Sequence, residues 1–188
     1  QNTTTVNAGV LQLGAAAVAS SNGIWINGGT LRALNAGALG YGGNFVQLGS
    51  EITNVTTTLS YTGTTAGTLV RNFTIAGTGT QTISADAAGA FTFNGTFTHL
   101  TPNTSKTFNL GGNGQGNNEF QTQLSNNGSG VVNLYKTGTS AWYVSNVANN
   151  FTGGTTIIAG QLRISDTRHL NMAANNLQFR GAFGTIGV

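Results

Sequence analysis

Cysteine is absent from the sequence, proline occurs once, and charged side chains make up only 6% of the 188 residues. Without cysteine, a disulfide framework, a zinc–thiolate site and a thiol nucleophile are excluded. Ordinary soluble domains carry about 25% charged residues, so the chain is poor in charge of both signs. No apolar run reaches the roughly 18 residues that indicate a transmembrane helix. We therefore expect no membrane-spanning segment.

The few basic residues do not form a cluster in the sequence. The formal net charge is +3, from seven basic and four acidic side chains. The basic residues are Arg32, Arg71, Lys106, Lys136, Arg163, Arg168 and Arg180. Nucleic-acid-binding proteins usually gather Lys and Arg on one face. We therefore expect no nucleic-acid partner.

Short stretches of alternating apolar and polar residues recur along the chain. Phe91 and Phe93 flank a threonine, and Trp142 and Val144 flank Tyr143. Such alternation is typical of a β-strand with one buried face. The 29 glycines disfavour helices, whereas ten Phe, four Tyr and two Trp provide apolar surface for a core. We predict an all-β fold, with residues 1–188 as one domain.

An internal repeat indicates how the strands are arranged. The segments Thr4–Leu13 and Thr155–Ile164 align without a gap over ten residues. In the first, Val6 and Ala8 are expected to point inward from one strand face, and after Gly9 the apolar pattern changes parity. An extra residue at a glycine turns the chain through a corner. Strands that turn corners around one axis form a solenoid, and the aligned segments place both ends in the same part of a coil.

The second half of the chain contains a recognisable motif. Residues 128–142 read GSGVVNLYKTGTSAW, and residues 149–162 read NNFTGGTTIIAGQL. This pattern resembles the autotransporter-associated, or passenger-associated, β-strand repeat. That repeat reads approximately Leu-x-Lys-x-Gly-x-Gly-x-Trp/Leu, then Asn-x-Tyr-x-Gly-Gly-Thr and Gly-x-Leu. Here Ser140 replaces a glycine and Phe151 replaces the tyrosine.

The resemblance implies a right-handed parallel β-helix, or β-solenoid, that is extracellular at a bacterial cell surface. The fullest motif copy spans 107–165 and continues to 183, and a partial copy spans 4–34. The motif is specific for architecture and does not indicate an activity. With about 20 residues per coil, we expect roughly nine coils and a rod of about 45 Å.

No catalytic, cofactor-binding or metal-binding residues are predicted, and no enzyme activity. The acidic residues Glu51, Asp86, Glu119 and Asp166 are far apart in the sequence. The cluster Asp166, Arg168 and His169 is interpreted as a solvated turn with a local ion pair. We expect His99 at the surface or at the edge of a coil. The glycine-rich run 111–118 lacks the Asp that a calcium loop needs and is interpreted as a turn.

Neither end of the sequence has the polar cap that usually closes a solenoid. We therefore predict a cell-surface filament, in which copies of this chain stack head to tail through open ends. The predicted subunit contacts are Thr4, Thr5, Val6, Ala8, Leu11, Leu13, Phe179, Phe183, Ile186 and Val188.

Two other functions stay open at this point. A fragment of an autotransporter-type adhesin or glycan-binding passenger would present exposed aromatics such as Trp25, Tyr41 or Tyr143 to cell-surface glycans. A polysaccharide-acting β-helix enzyme would need two carboxylates brought close together across coils.

Overall fold

The computed structural model describes residues 3–14, 23–40, 45–180 and 185–187. No α-helix occurs in these residues, and neither of their short 3-10 turns is long or apolar enough to cross a membrane. The strands are β1 (Thr4–Val6), β2 (Val10–Leu13), β3 (Ile24–Ile26), β4 (Gly29–Ala33), β5 (Phe45–Leu48), β6 (Thr57–Tyr61), β7 (Gly67–Leu69), β8 (Asn72–Ile75), β9 (Thr80–Ala85), β10 (Phe91–Phe93), β11 (Phe97–His99), β12 (Lys106–Gly111), β13 (Asn117–Phe120), β14 (Val132–Lys136), β15 (Ala141–Val144), β16 (Thr155–Ile157), β17 (Gln161–Arg163), β18 (Leu177–Phe179) and β19 (Thr185–Gly187).

The strands form three parallel sheets around one axis, which confirms the predicted parallel β-solenoid. Sheet A has the order β1-β3-β5-β8-β11, sheet B the order β2-β4-β6-β9-β12-β14-β16-β18, and sheet C the order β7-β10-β13-β15-β17-β19. The right-handed sense of the coil stays a prediction, in line with the usual handedness of parallel crossovers.

The prediction of nine coils is wrong. One coil takes 20 residues between Leu11 and Leu31 but 28 between Leu31 and Leu59. Sheet B is eight strands deep in the described residues, which makes seven turns from its first strand to its last. At about 4.8 Å per strand, this corresponds to roughly 34 Å. The coils are longer than predicted because loops of different length follow the strands.

Sheet B runs along the whole described solenoid, but sheets A and C each cover only part of its length. Among the described strands, sheet A begins at β1 and ends at β11, whereas sheet C begins at β7. A 3-10 turn at Ala36–Leu39 packs against β7 at the start of sheet C. A second 3-10 turn at Thr167–Leu170 lies between β17 and β18, on the side where sheet A has already ended. Strands of all three sheets therefore occur together only in the middle coils.

This change of sheets along the axis corrects the interpretation of the repeat. Thr4–Leu13 contains β1, a corner and β2, and runs from sheet A to sheet B. Thr155–Ile164 contains β16, a corner and β17, and runs from sheet B to sheet C. The corner glycines have similar conformations, with φ of 72° at Gly9 and 70° at Gly160. The local unit was predicted correctly, but the two copies occupy different parts of a coil.

The inward-facing side chains form one continuous apolar core. Phe91, Phe93, Trp142 and Val144 are all fully buried, as their alternation predicts. Aromatic rings stack along the axis from coil to coil: Phe91 lies 4.6 Å from Tyr61, and Phe93 lies 5.2 Å from Phe120, as measured between ring centroids. Each such side chain contributes about 1.5–3 kcal/mol on burial.

Three of the seven basic residues point inward, although charged side chains are expected at the surface. Arg71, Lys106 and Lys136 are buried. Lys106 donates from Nζ to the main-chain oxygen of Gly77 and to the hydroxyl of Thr101, at 2.5 and 2.7 Å. Burial lowers the pKa of Arg71 and of Lys106. These side chains therefore stabilise the coil by capping main-chain oxygens and contribute little charge to the surface.

Candidate ligand-binding cleft

A cleft of about 370 Å³ lies on the outer face of sheet C. It is lined by Asn117, Asn118, Glu119, Tyr143, Arg163, Ile164 and Ser165. The lining combines an aromatic ring, a carboxylate, a guanidinium group and two carboxamides. These are the group types that fix the orientation of a small polar ligand in a concave site.

Strand alternation and register bring these side chains together. In β15 the buried residues are Trp142 and Val144, so Tyr143 between them faces outward. In the parallel register, Glu119 on β13 and Arg163 on β17 are the partners of Tyr143 on either side. The three residues therefore form one outward row, although they are 24 and 20 positions apart in the sequence.

Hydrogen bonds hold several of the lining groups in place. Arg163 donates from Nη1 to Oδ1 of Asn117 at 2.9 Å, reaching diagonally across β15. The hydroxyl of Tyr143 lies 2.7 Å from that of Ser165. The buried amide of Asn118 accepts from the main-chain N–H of Phe91 at 3.0 Å. It also donates to the main-chain oxygens of residues 116 and 141. Arg163, Tyr143 and Asn118 are thus held in place before any ligand binds.

The two charged groups of the cleft are not paired with each other. Within the described part of the chain, the Glu119 side chain has no hydrogen-bond or ion-pair partner, and the one ion pair joins Arg168 to Asp166. Glu119 is half-buried and Arg163 is exposed. The cleft therefore offers a free carboxylate acceptor on one side of Tyr143 and a guanidinium donor on the other.

The loop that follows β17 contributes His169, which packs against the cleft residue Tyr143. His169 is buried, and its ring meets that of Tyr143 edge-on with 5.8 Å between centroids. Its ring Nδ1 accepts from the main-chain N–H of Ser165 at 3.4 Å, and burial lowers its pKa. The prediction that placed His169 in a solvated turn is wrong, because the 3-10 turn rotates this side chain toward the core.

The predicted local pair of Asp166 and Arg168 is confirmed. Asp166 caps the 3-10 turn by accepting from the main-chain N–H of Arg168 at 2.8 Å, and the two side chains approach to 2.6 Å. The hydrogen bond from the Arg168 side chain is the main cause that lowers the pKa of Asp166 to about 2. Both groups face solvent, so the pair fixes a turn and adds little stability.

The other predicted residues lie outside the cleft. Trp25 is on β3 in sheet A, edge-on to Phe45 at 5.1 Å, and Tyr41 lies outside the described residues. His99 ends β11, the last described strand of sheet A, as expected for a residue at an edge. Its Nε2 lies 2.9 Å from the main-chain oxygen of Ser125, and burial lowers its pKa.

The glycine-rich run 111–118 contains the predicted turn, at residues 112–116 between β12 and β13. Asn113 accepts from the main-chain N–H of Thr139 at 3.0 Å, which ties this turn to the next coil. The described residues contain no cluster of three or more His, Asp or Glu side chains that could hold a metal ion.

The four carboxylates lie in different settings along the solenoid. Asp86 accepts from the hydroxyls of Ser60 and Ser84 at 2.6 and 2.7 Å. Glu51 is exposed just after β5, Glu119 lines the cleft, and Asp166 caps a turn. No described contact joins any two of them, so the geometry gives no support to a two-carboxylate mechanism.

The predicted subunit contacts lie at sheet edges where they are described. Thr4, Thr5 and Val6 are on β1, Leu11 and Leu13 on β2, Phe179 on β18 and Ile186 on β19. Val6 is buried, whereas Ala8 is exposed because β1 ends before it and the chain turns. Phe183 and Val188 lie outside the described residues. Nothing in the structure tests head-to-tail assembly, which stays a prediction.

Sequence reasoning missed Glu119 and Arg163 as partners of Tyr143. Neither Glu119 nor Arg163 has another charged residue beside it in the sequence. The signal that could have found them is their spacing, because 20 and 24 residues are both lengths of one coil in this chain. Aligning the strands coil by coil would have placed the three residues in one row.

The comparison with characterised proteins agrees with part of the family resemblance. The chain is similar to an autotransporter adhesin. It is 34% identical over 142 residues to the adhesin BmaC autotransporter of Brucella suis biovar 1 (strain 1330). The match covers 71% of this chain but 4% of that much longer protein. No family model matches the chain, and no solved structure matches it.

These findings favour one of the predicted functions over another. Similarity to an adhesin supports the adhesin alternative, and loosely a bacterial cell-surface location, better than the filament subunit. Together with the solenoid fold, it also favours a non-enzymatic role.

Proposed function

We propose that this chain is an extracellular passenger segment of autotransporter type, built from autotransporter-associated β-strand repeats, and that it acts in bacterial adhesion. The observation that carries the proposal is the similarity to an autotransporter adhesin over 71% of the chain. The parallel solenoid supports it, because the family resemblance implies this architecture.

The motif residues have structural tasks that support membership of this repeat family. The motif lysine, Lys136, is buried and donates to main-chain oxygens at the corner between sheets B and C. The motif asparagine, Asn149, bridges the main-chain N–H of Leu124 and the main-chain oxygen of His169, at 2.7 and 2.6 Å. Both residues connect consecutive coils, so the motif encodes the coil itself and leaves the outer faces free to vary.

The physical character of the fold suits a surface-exposed role. Backbone ladders run through all three sheets, and Asn, Thr and Ser side chains continue them from coil to coil, as between Thr74 and Thr98 at 3.0 Å. Stability that depends on ladders and an apolar core varies little with salt, because few exposed ion pairs contribute to it.

The proposal is tested by displaying residues 1–188 on a non-adherent bacterium, fused to an unrelated surface scaffold. Attachment to epithelial cell layers is counted against the same scaffold without the insert. We expect more attached bacteria with the insert, and we expect soluble 188-residue chain to compete for attachment. Equal attachment with and without the insert would contradict the proposal.

A further inference from the structure

We propose that the cleft on sheet C binds a neutral saccharide through Glu119, Tyr143 and Arg163. This inference rests on the proposed adhesive function and names its ligand class and its site. The proposal is carried by the outward row that these three residues form across β13, β15 and β17.

The concentration of charge in the cleft is unusual for this chain. The sequence has only seven basic and four acidic side chains, and three of the basic ones are buried. Two of the remaining charged residues nevertheless line one cleft of about 370 Å³. They are not needed there as an ion pair, because Arg163 donates to Asn117 and Glu119 has no partner among the described residues.

The arrangement of donors and acceptors matches the hydroxyl groups of a sugar. A carboxylate only accepts hydrogen bonds and a guanidinium group only donates them, whereas a carboxamide does both. Neighbouring sugar hydroxyls can donate to Glu119 and accept from Arg163 at the same time. The Tyr143 ring between these groups offers an apolar surface for the C–H face of a sugar ring. All three kinds of contact are available within one row of side chains.

The balance of charge selects a neutral ligand over an ionic one. An acidic sugar or peptide would gain from Arg163 but would meet repulsion from Glu119, and a cationic ligand would meet the reverse. A neutral, hydroxyl-rich molecule pairs with both groups without leaving either charge desolvated and unpaired. The cleft volume is at the lower end of the roughly 300–1,000 Å³ typical of ligand sites, which suits a short saccharide.

The cleft is also rigid enough to bind without large ordering costs. Tyr143 is held by the hydroxyl of Ser165 and by the edge contact with His169, and Arg163 is held by Asn117. Side chains fixed before binding lose less conformational entropy when the ligand arrives. Glu119, Tyr143 and Arg163 themselves stand on strands β13, β15 and β17, and Ser165 and His169 belong to the segment that follows β17.

The test is a printed array of neutral and acidic oligosaccharides probed with the 188-residue chain, followed by titration of the strongest neutral probe. Arg163→Ala and Glu119→Gln change outward-facing groups, so they should fold normally, and each should weaken binding about tenfold or more. Tyr143→Ala should do the same. Tyr135→Ala on the outer face of sheet B and Arg180→Ala are matched controls that should bind like the wild type.

Several outcomes would overturn the inference: no binding to any saccharide, exclusive binding to acidic probes, or equal loss of binding in Tyr135→Ala. Binding to a deglycosylated protein surface that depends on Tyr143 would assign the cleft to a protein ligand instead. Failure here is separable from failure of the proposed function. If the displayed Arg163→Ala chain promotes attachment as well as the wild-type chain does, the adhesive function stands and the cleft is not a saccharide site.

Discussion

Lys136 donates a hydrogen bond from Nζ to the main-chain oxygen of Ala159, one coil further along the solenoid, at 3.3 Å. The same ammonium group donates to the main-chain oxygens of Thr137 and Gly138, at 2.6 and 2.9 Å. The side chain is fully buried, and burial lowers its pKa from 10.5 to about 8. A buried cation thus fastens two successive corners through three carbonyl groups.

The lowered pKa predicts that the protein becomes more stable as the pH rises above 8. In the folded chain Lys136 loses its proton near pH 8, whereas in the unfolded chain it keeps the proton to about 10.5. Between these values the unfolded chain binds more protons, so the free energy of unfolding rises with pH, by up to about 3 kcal/mol. Lys106, whose pKa is also lowered, acts in the same direction. Denaturant unfolding between pH 7 and 10 measures the rise.

Tyr61 sets the upper limit of this pH window. Burial raises its pKa above 10.0, so its contribution to stability falls only as the pH rises beyond 10.

The role of Lys136 in this pH dependence is tested by substitution. The Lys136→Met variant should show a clearly smaller rise in the free energy of unfolding between pH 8 and 10, whereas Arg180→Met, at an exposed position, should show the same rise as the wild type. An unchanged rise in Lys136→Met would show that Lys136 does not titrate in this range.

Two neighbouring asparagines should differ sharply in their importance for stability. Asn149 is buried and bridges Leu124 and His169, whereas Asn150 is exposed. Asn149→Ala removes two buried hydrogen bonds and leaves a main-chain N–H and a carbonyl unsatisfied, which should cost about 2–4 kcal/mol. Asn150→Ala should change the free energy of unfolding by less than about 0.5 kcal/mol. Thermal or urea unfolding compares the two, and equal effects would refute the bridging role.

The corner glycines allow conformational strain to be separated from close packing. Gly138 has φ of 66°, and an added Cβ would lie 2.2 Å from the main-chain oxygen of Gly112. Gly9 has φ of 72°, but a Cβ there would meet no described atom within 4 Å. Gly9→Ala should cost about 1–2 kcal/mol from the left-handed backbone alone, and Gly138→Ala should cost more. Urea unfolding measures both values, and a smaller cost for Gly138→Ala would contradict the packing between coils.

The strand pattern and the solenoid were predictable because each depends on local chemistry. Alternation placed Phe91 and Phe93 inside, and the change of parity at Gly9 and Gly160 indicated corners. The same alternation places Lys136 on the buried face with Leu134, although a charged residue is expected to point outward. Its burial is explained by the main-chain oxygens of the corner that follows β14 and of the corner one coil further along. The sequence does not show that these oxygens converge on Lys136.

The position of each strand on a face, and therefore the cleft, was not predictable. The register between strands depends on loop lengths. The segment between β5 and β6, for example, lengthens one coil, and no hydrophobic periodicity in the sequence marks this insertion. Glu119, Tyr143 and Arg163 form a row only because the two coils that separate them have lengths of 24 and 20 residues. The corner motif could not reveal this either, since it occurs both between sheets A and B and between sheets B and C.

The central claim is that residues one coil apart form one continuous outer surface on sheet C. It is tested most directly by spin labels at Asn117→Cys and Gln161→Cys, two exchanges that are clean because the chain has no cysteine. Both positions are partners of Ala141 on β15, so the account predicts backbones about 10 Å apart and strong dipolar broadening. Spectra that equal the sum of the two singly labelled chains would contradict the register and, with it, the cleft.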